Sequence, residues 1–375
     1  MLVERIYQLE DFIQKGKVVI IYGARRVGKT TLLRTFLERT SLKFRLDFGD
    51  NIRVQHVLGS QDFNLILEYG EGYDLLVIDE AQYIPNVGLG LKILVDQCPS
   101  LYVVATGSSS FELSGQIGEP LTGRKRTLIL YPFSQKELNT IYTKYELKEK
   151  LEEFLIFGTY PEVVLAKKKK DKIEILEELV HSYLFKDILA LDKIKSSRVL
   201  TNLLKLLAFQ VGNLVSLNEL AGQLKVDVKT VGRYLDLLEK NFVIKKLCGF
   251  SRNLRKEITS KAKYFFVDNG IRNGIISQYN PLELRGDIGQ LWENFIVMER
   301  IKKHTFHRTL PIAFYFWRTY QGQEIDLIEQ RAEGLFAYEC KYASKKAKIP
   351  KAWAQNYPQS QFMVINKDNY LDLLL

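Results

Sequence analysis

The octapeptide Gly23-Ala-Arg-Arg-Val-Gly28-Lys29-Thr30 narrows the folds open to this chain more than any other feature. A short β-rich run, VVIIY (18–22), precedes it, and a helical pattern, TTLLRTFLER (30–39), follows it. The segment fits G-x-x-x-x-G-K-[ST] at every fixed position and lies between the strand and the helix that the motif requires. Backbone N–H groups of such a loop, together with the helix N-terminus, cradle phosphate groups. Gly23, Ala24, Arg25, Arg26, Val27, Gly28, Lys29, Thr30 and Thr31 are therefore expected to line a phosphate site. Lys29 is expected to bridge β- and γ-phosphates, and the Thr30 hydroxyl to bind Mg²⁺.

Four more apolar runs follow: KFRLDF (43–48), DLLVID (74–79), LYVVAT (101–106) and RTLIL (126–130). Helical patterns separate them, which is the pattern of a parallel sheet covered on both faces. Asp79 and Glu80 close the third run. About fifty residues after a phosphate loop, such a pair suits an Asp that holds Mg²⁺ and a Glu that orients the attacking water. TGSSS (106–110) supplies Thr106 and Ser108 as candidate sensors of a terminal phosphate, and Arg124 and Arg126 are candidate arginine fingers.

In combination, GARRVGKTT, LLVIDEAQ, TGSSS and LTGRKRTLILYPFSQKEL resemble the prokaryotic AAA-type P-loop ATPases, over roughly residues 1–195. That resemblance implies a five-stranded core, a helical lid in which GTYPEV (158–163) matches the lid motif, and ATP with Mg²⁺ as cofactors. Many AAA proteins carry Asn after the fourth strand, where this chain offers Thr106 or Ser108. Sites of this type often lie between subunits, so a homo-oligomer is an expectation.

The chain carries a net charge of +10, and most of that excess is local. Residues 195–265 hold fourteen Lys and Arg against five Asp and Glu. A basic surface concentrated in one segment favours a polyanionic partner. Within it, LNELAGQL, the turn KVD, VKTVGRYLDLLEKN and FVIKKL read as a winged helix. Val228, Val231, Leu235 and Leu238 form the apolar face of the second helix, while Lys229 and Arg233 point outward. This arrangement resembles a DNA-reading helix-turn-helix. A packing module between neighbouring domains is the alternative.

Strand signals return near Lys263, in KYFFVD, AFYFWRT, QEIDLIEQ, LFAYECKY and QFMVIN, around the helix DIGQLWENFIVMERIKKH. Glu339 and Lys341, two apart, share one strand face. A hairpin would set Asp326 beside Glu339, with Glu293 approaching from the helix. Two carboxylates so placed suit a divalent metal, with Lys341 positioning water. The set resembles the PD-(D/E)XK restriction-endonuclease-like fold over about 264–375 and implies Glu293, Asp326 and Glu339 as metal ligands and Asp326, Glu339 and Lys341 as catalytic. Glu324 is expected to face away.

The three cysteines, Cys98, Cys248 and Cys340, are widely spaced and suggest neither zinc nor a disulfide framework. His56, His181, His304 and His307 lack ligand-like company. There is no signal-peptide pattern and no apolar run of membrane-spanning length, so a cytoplasmic protein is expected.

The reading is thus an α/β chain with a P-loop core (1–132), helical lid (133–195), winged helix (196–262) and endonuclease-like domain (263–375). The expected activity is ATP hydrolysis that gates DNA contact or metal-dependent cleavage. The alternatives are an ATP-dependent DNA-binding switch with an inactive nuclease fold, and a signalling or assembly ATPase that binds only protein.

Overall fold

The computed structural model describes residues 3–108, 120–181, 196–251, 261–306, 312–343 and 346–375. The chain forms two compact units: Arg5–Tyr131 with Lys240–Phe242, and Met1–Glu4 with Pro132–Glu239 and Val243–Leu375.

The first unit is built on five strands: β1 (Val18–Tyr22), β2 (Phe44–Phe48), β3 (Leu75–Asp79), β4 (Tyr102–Gly107) and β5 (Lys125–Ile129). They pair in the order β2-β3-β4-β1-β5, and every pair is parallel. β1 and β3 are buried at all five positions, which explains their uninterrupted apolar sequences. Helices α1 (Lys29–Arg39), α2 (Ile52–Gly59), α3 (Phe63–Gly70) and α4 (Val87–Gln97) connect and cover them. The Asn51 and Asp62 side chains cap α2 and α3 by accepting the N–H groups of Arg53 and Leu65. Ile20, Ile78, Leu91, Leu94, Val103 and Ala105 belong to one core cluster. Each large aliphatic side chain so buried contributes about 1.5–3 kcal/mol. Because the strands are parallel, the ends of β1, β3 and β4 share one edge of the sheet. That edge carries the site.

The second unit opens with α5 (Gln135–Leu138), α6 (Lys144–Glu149), α7 (Leu151–Phe157), α8 (Pro161–Leu165) and α9 (Lys169–Glu178). Capping boxes, Ser134 with Glu137 and Thr143 with Glu146, start the first two. Then come α10 (Ser197–Phe209), β6 (Leu214–Val215), α11 (Leu217–Leu224), α12 (Val228–Lys240), β7 (Ile244–Gly249) and β8 (Ala262–Phe266). The chain continues through α13 (Asn269–Ile275), α14 (Ile288–Phe306), β9 (Ala313–Arg318), β10 (Glu324–Arg331), β11 (Gly334–Cys340), α15 (Lys351–Asn356), β12 (Gln361–Ile365) and α16 (Tyr370–Leu374).

One seven-stranded sheet, ordered β12-β11-β10-β9-β7-β8-β6, runs through this unit. β7 joins β9 in parallel at Cys248↔Tyr315 and Gly249↔Phe316. The expected boundary at 262/263 thus falls within β8, inside a continuous sheet. β8 was expected to open the C-terminal domain. Its pairing with β6 and β7 assigns it equally to the basic segment.

The GTYPEV segment packs within the same unit. Asp268 accepts the Thr159 N–H at 2.7 Å and the Gly270 N–H at 2.9 Å. Any Cβ at Gly158, which has φ 72°, would collide with the Asp268 carboxylate. α14 buries Glu299, Arg300 and Lys302. Each finds a partner: Arg300 Nε meets Glu329 Oε1 at 2.7 Å, and Lys302 Nζ meets Glu299 Oε1 at 2.9 Å. Among the described residues no helix is long and apolar enough to cross a membrane.

Candidate functional site

The phosphate loop leaves β1 at Tyr22 and enters α1 at Lys29. Gly28 sits at φ 94°, a conformation that side chains disfavour. Lys29 is buried and folds back on its own loop, with Nζ donating to Gly23 O at 3.0 Å and Ala24 O at 3.1 Å. Burial lowers its pKa, while Glu80 and Asp79 nearby act in the opposite direction. Val27 is buried, Arg25 donates to the Tyr83 hydroxyl at 3.1 Å, and Arg26 and Thr31 are exposed.

Strand order places β4 between β1 and β3, so Thr106 stands between the loop and the acidic pair. Thr30 Oγ1 donates to Asp79 Oδ2 at 2.7 Å. The Thr106 hydroxyl donates to Asp79 Oδ1 and accepts the Glu80 N–H at 3.0 Å. Thr106 was expected to read a terminal phosphate. Instead it is fully buried and orients the acidic pair. Gln82, to which the motif reading gave no role, donates to Glu80 Oε2. Its own Oε1 accepts the Ser108 N–H at 3.3 Å. The Ser108 backbone is therefore linked to Glu80 only through Gln82 among these bonds. Ser109 and Ser110 lie outside the described residues.

Sequence reasoning also missed Arg5. Its guanidinium donates to Val27 O in the phosphate loop and to Tyr131 O at 3.0 Å, pinning the loop from the N-terminal segment. No local pattern marks it, because the contact spans 22 residues.

Neither candidate arginine finger reaches the phosphate loop of its own chain. Arg124 precedes β5, and its carbonyl accepts the N–H of Val18, the first residue of β1. It therefore lies at the sheet edge opposite the phosphate loop, about 16 Å away along five strand residues. Its side chain pairs with Asp96 at 2.5 Å. Arg126 lies near the same edge and donates to Phe12 O.

The second constellation lies in the seven-stranded sheet. β10 and β11 pair antiparallel from Leu327↔Tyr338, which brings Asp326 and Glu339 to adjacent strands. Lys341 Nζ meets Glu339 Oε1 at 2.7 Å, on the shared face. Glu293 approaches from α14; burial raises the Cys340 pKa, and the Asp326 and Glu293 charges add to the rise. Two residues alter the expected chemistry. Glu324, read as turned away, stands two before Asp326, the spacing that keeps residues on one face. Lys263, from β8, is buried, and its Nζ meets Glu293 Oε1 at 2.9 Å and Glu324 Oε1 at 2.6 Å.

The carboxylates do not fit a divalent metal. Among the described residues no group of three His, Cys, Asp or Glu side chains converges as a metal site. Asp326 Oδ2 accepts the Cys340 N–H at 2.8 Å, and Arg318 takes Glu324 Oε2 at 3.2 Å. The expected ligand set of Glu293, Asp326 and Glu339 is thus already engaged by the protein's own cations and an amide. With one ammonium among several carboxyls, burial pushes the Glu293 pKa up to about 8, while those carboxylates raise that of Lys263. Burial raises Asp326 and Glu339 as well. The histidines take no metal-like positions in the described residues. His304 contacts Glu329 at 3.1 Å, and His307 lies outside those residues.

In the basic segment, Val231, Tyr234, Leu235, Leu237 and Leu238 bury one face of α12. Lys229 and Arg233 lie exposed on the other. Val228, expected in the apolar face, is 39% exposed at the first turn.

Comparison with known proteins agrees with the core. An AAA domain matches residues 15–139. Two domains of unknown function, DUF8612 and DUF4143, match residues 148–281 and 288–373. An uncharacterised protein of Haemophilus influenzae is 26% identical, covering 99% of this chain and 91% of its own length. One of Mycobacterium tuberculosis is 27% identical, covering 92% and 75%. One of Methanocaldococcus jannaschii is 24% identical, covering 89% and 77%. A signal transduction ATPase with a tetratricopeptide repeat sensor, from Pyrococcus horikoshii, aligns with a TM-score of 0.29 at 14% identity, over 76% of this chain and 43% of that one. The first unit is a P-loop ATPase domain of the AAA type.

Proposed function

We propose that this chain is an ATP-hydrolysing switch whose nucleotide state controls contact with DNA. The observation that carries the ATPase half is the 2.7 Å bond between Thr30 Oγ1 and Asp79 Oδ2, with Glu80 next in sequence. A hydroxyl and a carboxylate aimed at one point are the oxygen donors that Mg²⁺ takes. Bound Mg²⁺ would neutralise charge on the β- and γ-phosphates. Lys29 would exchange its two loop carbonyls for phosphate oxygens, and the loop amides would hold the same groups. Glu80, steadied by Gln82, would orient the attacking water, while Thr106 keeps Asp79 in place. Arg5 would hold the loop in this shape.

The DNA half rests on the order helix, strand, helix, helix, strand, strand from α10 to β8, which is the order of a winged helix. α11 and α12 are separated by the short stretch 225–227, in which Asp227 accepts the Thr230 N–H at 2.8 Å. Exposed Lys225, Lys229 and Arg233 supply the charge that phosphate contact needs. Metal-dependent cleavage is not part of this reading, because Lys263 engages Glu293, the Cys340 amide engages Asp326 and Lys341 engages Glu339.

The test is duplex binding measured against salt, with and without ATP. Affinity should fall linearly on a log–log plot. Lys229→Ala with Arg233→Ala should reduce the slope by about 2. An unchanged affinity and slope would favour a packing module that binds only protein.

A further inference from the structure

Lys263 Nζ sits against Glu293, one of the three carboxylates that the endonuclease-like pattern implies as metal ligands. It comes from β8, while the carboxylates come from α14 and β10, so the cluster ties three elements together. Its ammonium is closed in on several sides. The Phe316 ring lies 5.6 Å from Nζ. A Cβ at Gly212, in the turn before β6, would stand 2.9 Å from Glu293 Oε2. Glu324 is held by Lys263 through one oxygen and by Arg318 through the other. A Mg²⁺ ion demands near-octahedral coordination at about 2.0–2.1 Å and usually retains several waters. A buried ammonium instead offers three fixed donors and one charge.

We propose that Lys263 is the resident cation of this cluster, held in place of a divalent metal, and that the C-terminal sheet is thereby locked to β8 and performs no metal-dependent hydrolysis. A lysine on the peptide chain cannot dissociate, so the lock is permanent. It also accounts for Glu324, which a two-carboxylate metal site does not need but a lysine between two carboxylates does. With the ammonium removed, Glu293 and Glu324 lose their shared cation and are free to turn, with the Asp326 charge nearby, towards a divalent ion.

The proposal stands apart from DNA binding and is tested separately from it. Mn²⁺ binding is measured on the full chain without nucleotide, by the loss of the free-ion electron paramagnetic resonance signal. Thr30→Ala is present throughout, to remove a ligand of the nucleotide-site metal. With Lys263 intact, no site dependent on Asp326 is expected. Lys263→Ala should gain one site per chain, lost again on adding Asp326→Asn, and Mn²⁺ should raise its melting temperature by several degrees. Stoichiometric Mn²⁺ on the Lys263-intact chain, abolished by Asp326→Asn, overturns the proposal. So does a folded Lys263→Ala chain that gains no site. If Lys263→Ala does not fold, Lys263→Met preserves the packing of the stem. The Lys263-intact measurement is decisive by itself, since it needs no change at that residue.

Discussion

The two acidic sites of this protein are built from the same side chains and given opposite neighbours. Around Asp79 the partners are the hydroxyls of Thr30 and Thr106. Around Glu293 and Glu324 the partner is the Lys263 ammonium. A hydroxyl is neutral and can turn, giving up its proton-donating role to become a ligand itself. An ammonium brings its own charge and cannot become a ligand while it stays protonated. The first arrangement is one a cation can enter; the second already contains one. Carboxylate count and spacing are therefore poor guides to metal chemistry unless the counter-charge is known.

Catalysis separates the two sites most sharply. Glu80→Gln should lower ATP turnover by about 10²-fold or more while leaving nucleotide binding intact. Asp326→Asn should change turnover by less than about twofold. Steady-state phosphate release measures both. Comparable losses in the two variants would mean that the sites work as one.

Stability should separate them next. Lys263→Ala strands buried carboxylates and should cost about 3–5 kcal/mol. Thr30→Ala removes one hydroxyl hydrogen bond and should cost about 1 kcal/mol. Urea denaturation of the two variants compares these values. Equal losses would erase the distinction between a built-in cation and a neutral donor.

A smaller effect concerns pH. Burial holds the Glu293 pKa at about 8 in the folded chain, against an ordinary 4.5. Across that window the folded state keeps a proton that the unfolded state has lost, so stability falls as pH rises and levels off above about 8. Glu329 behaves oppositely. His304 and Arg300 hold its pKa down to about 2, so its contribution is present above 4.5 and lost as pH falls towards 2. Glu293→Gln should reduce the decline between about 4.5 and 8 and leave the acid limb unchanged, the remainder belonging to Asp326 and Glu339, whose pKa values burial also raises. An undiminished decline would place the proton elsewhere.

The smallest effect is expected at Arg124. With its side chain on Asp96 at the far edge of the sheet, Arg124→Ala should leave turnover of the isolated chain within about twofold. A large loss would require a second copy to bring that edge to a nucleotide.

The phosphate site was legible because its information is local. Eight consecutive residues between a strand and a helix specify the loop, and Asp79 and Glu80 end an apolar run of their own. The failures share a cause in pairing that a linear reading lacks. Arg124 stands one residue before Lys125, the β5 partner of Val18, a placement away from its own chain's phosphate loop that only the strand register shows. Lys263 entered the charge count as surface, although it is buried against residues 30 and 61 positions further on. Arg5 reaches the loop only through the fold. Glu324 is different: its spacing from Asp326 already placed it on the shared face, and the period was misapplied. Thr106 is buried and donates to Asp79 Oδ1, a contact between strands that no local pattern marks.

The junction between β7 and β9 has a mechanical consequence. Two residue pairs, with the Phe250 N–H to Phe316 O bond beside them, carry the sheet from one half of the second unit to the other. β10 and β11, by contrast, pair over five. Under load applied along the chain, a sheet parts where the fewest bonds share the strain. β6 is also held to β8 by only two pairs, but it lies at the end of the sheet, so the β7–β9 seam is where the sheet would divide into a β6–β8–β7 group and a β9–β12 group. Pulled in an optical trap, the unit should extend in two steps, with the Lys263 cluster as the remaining rivet across the gap.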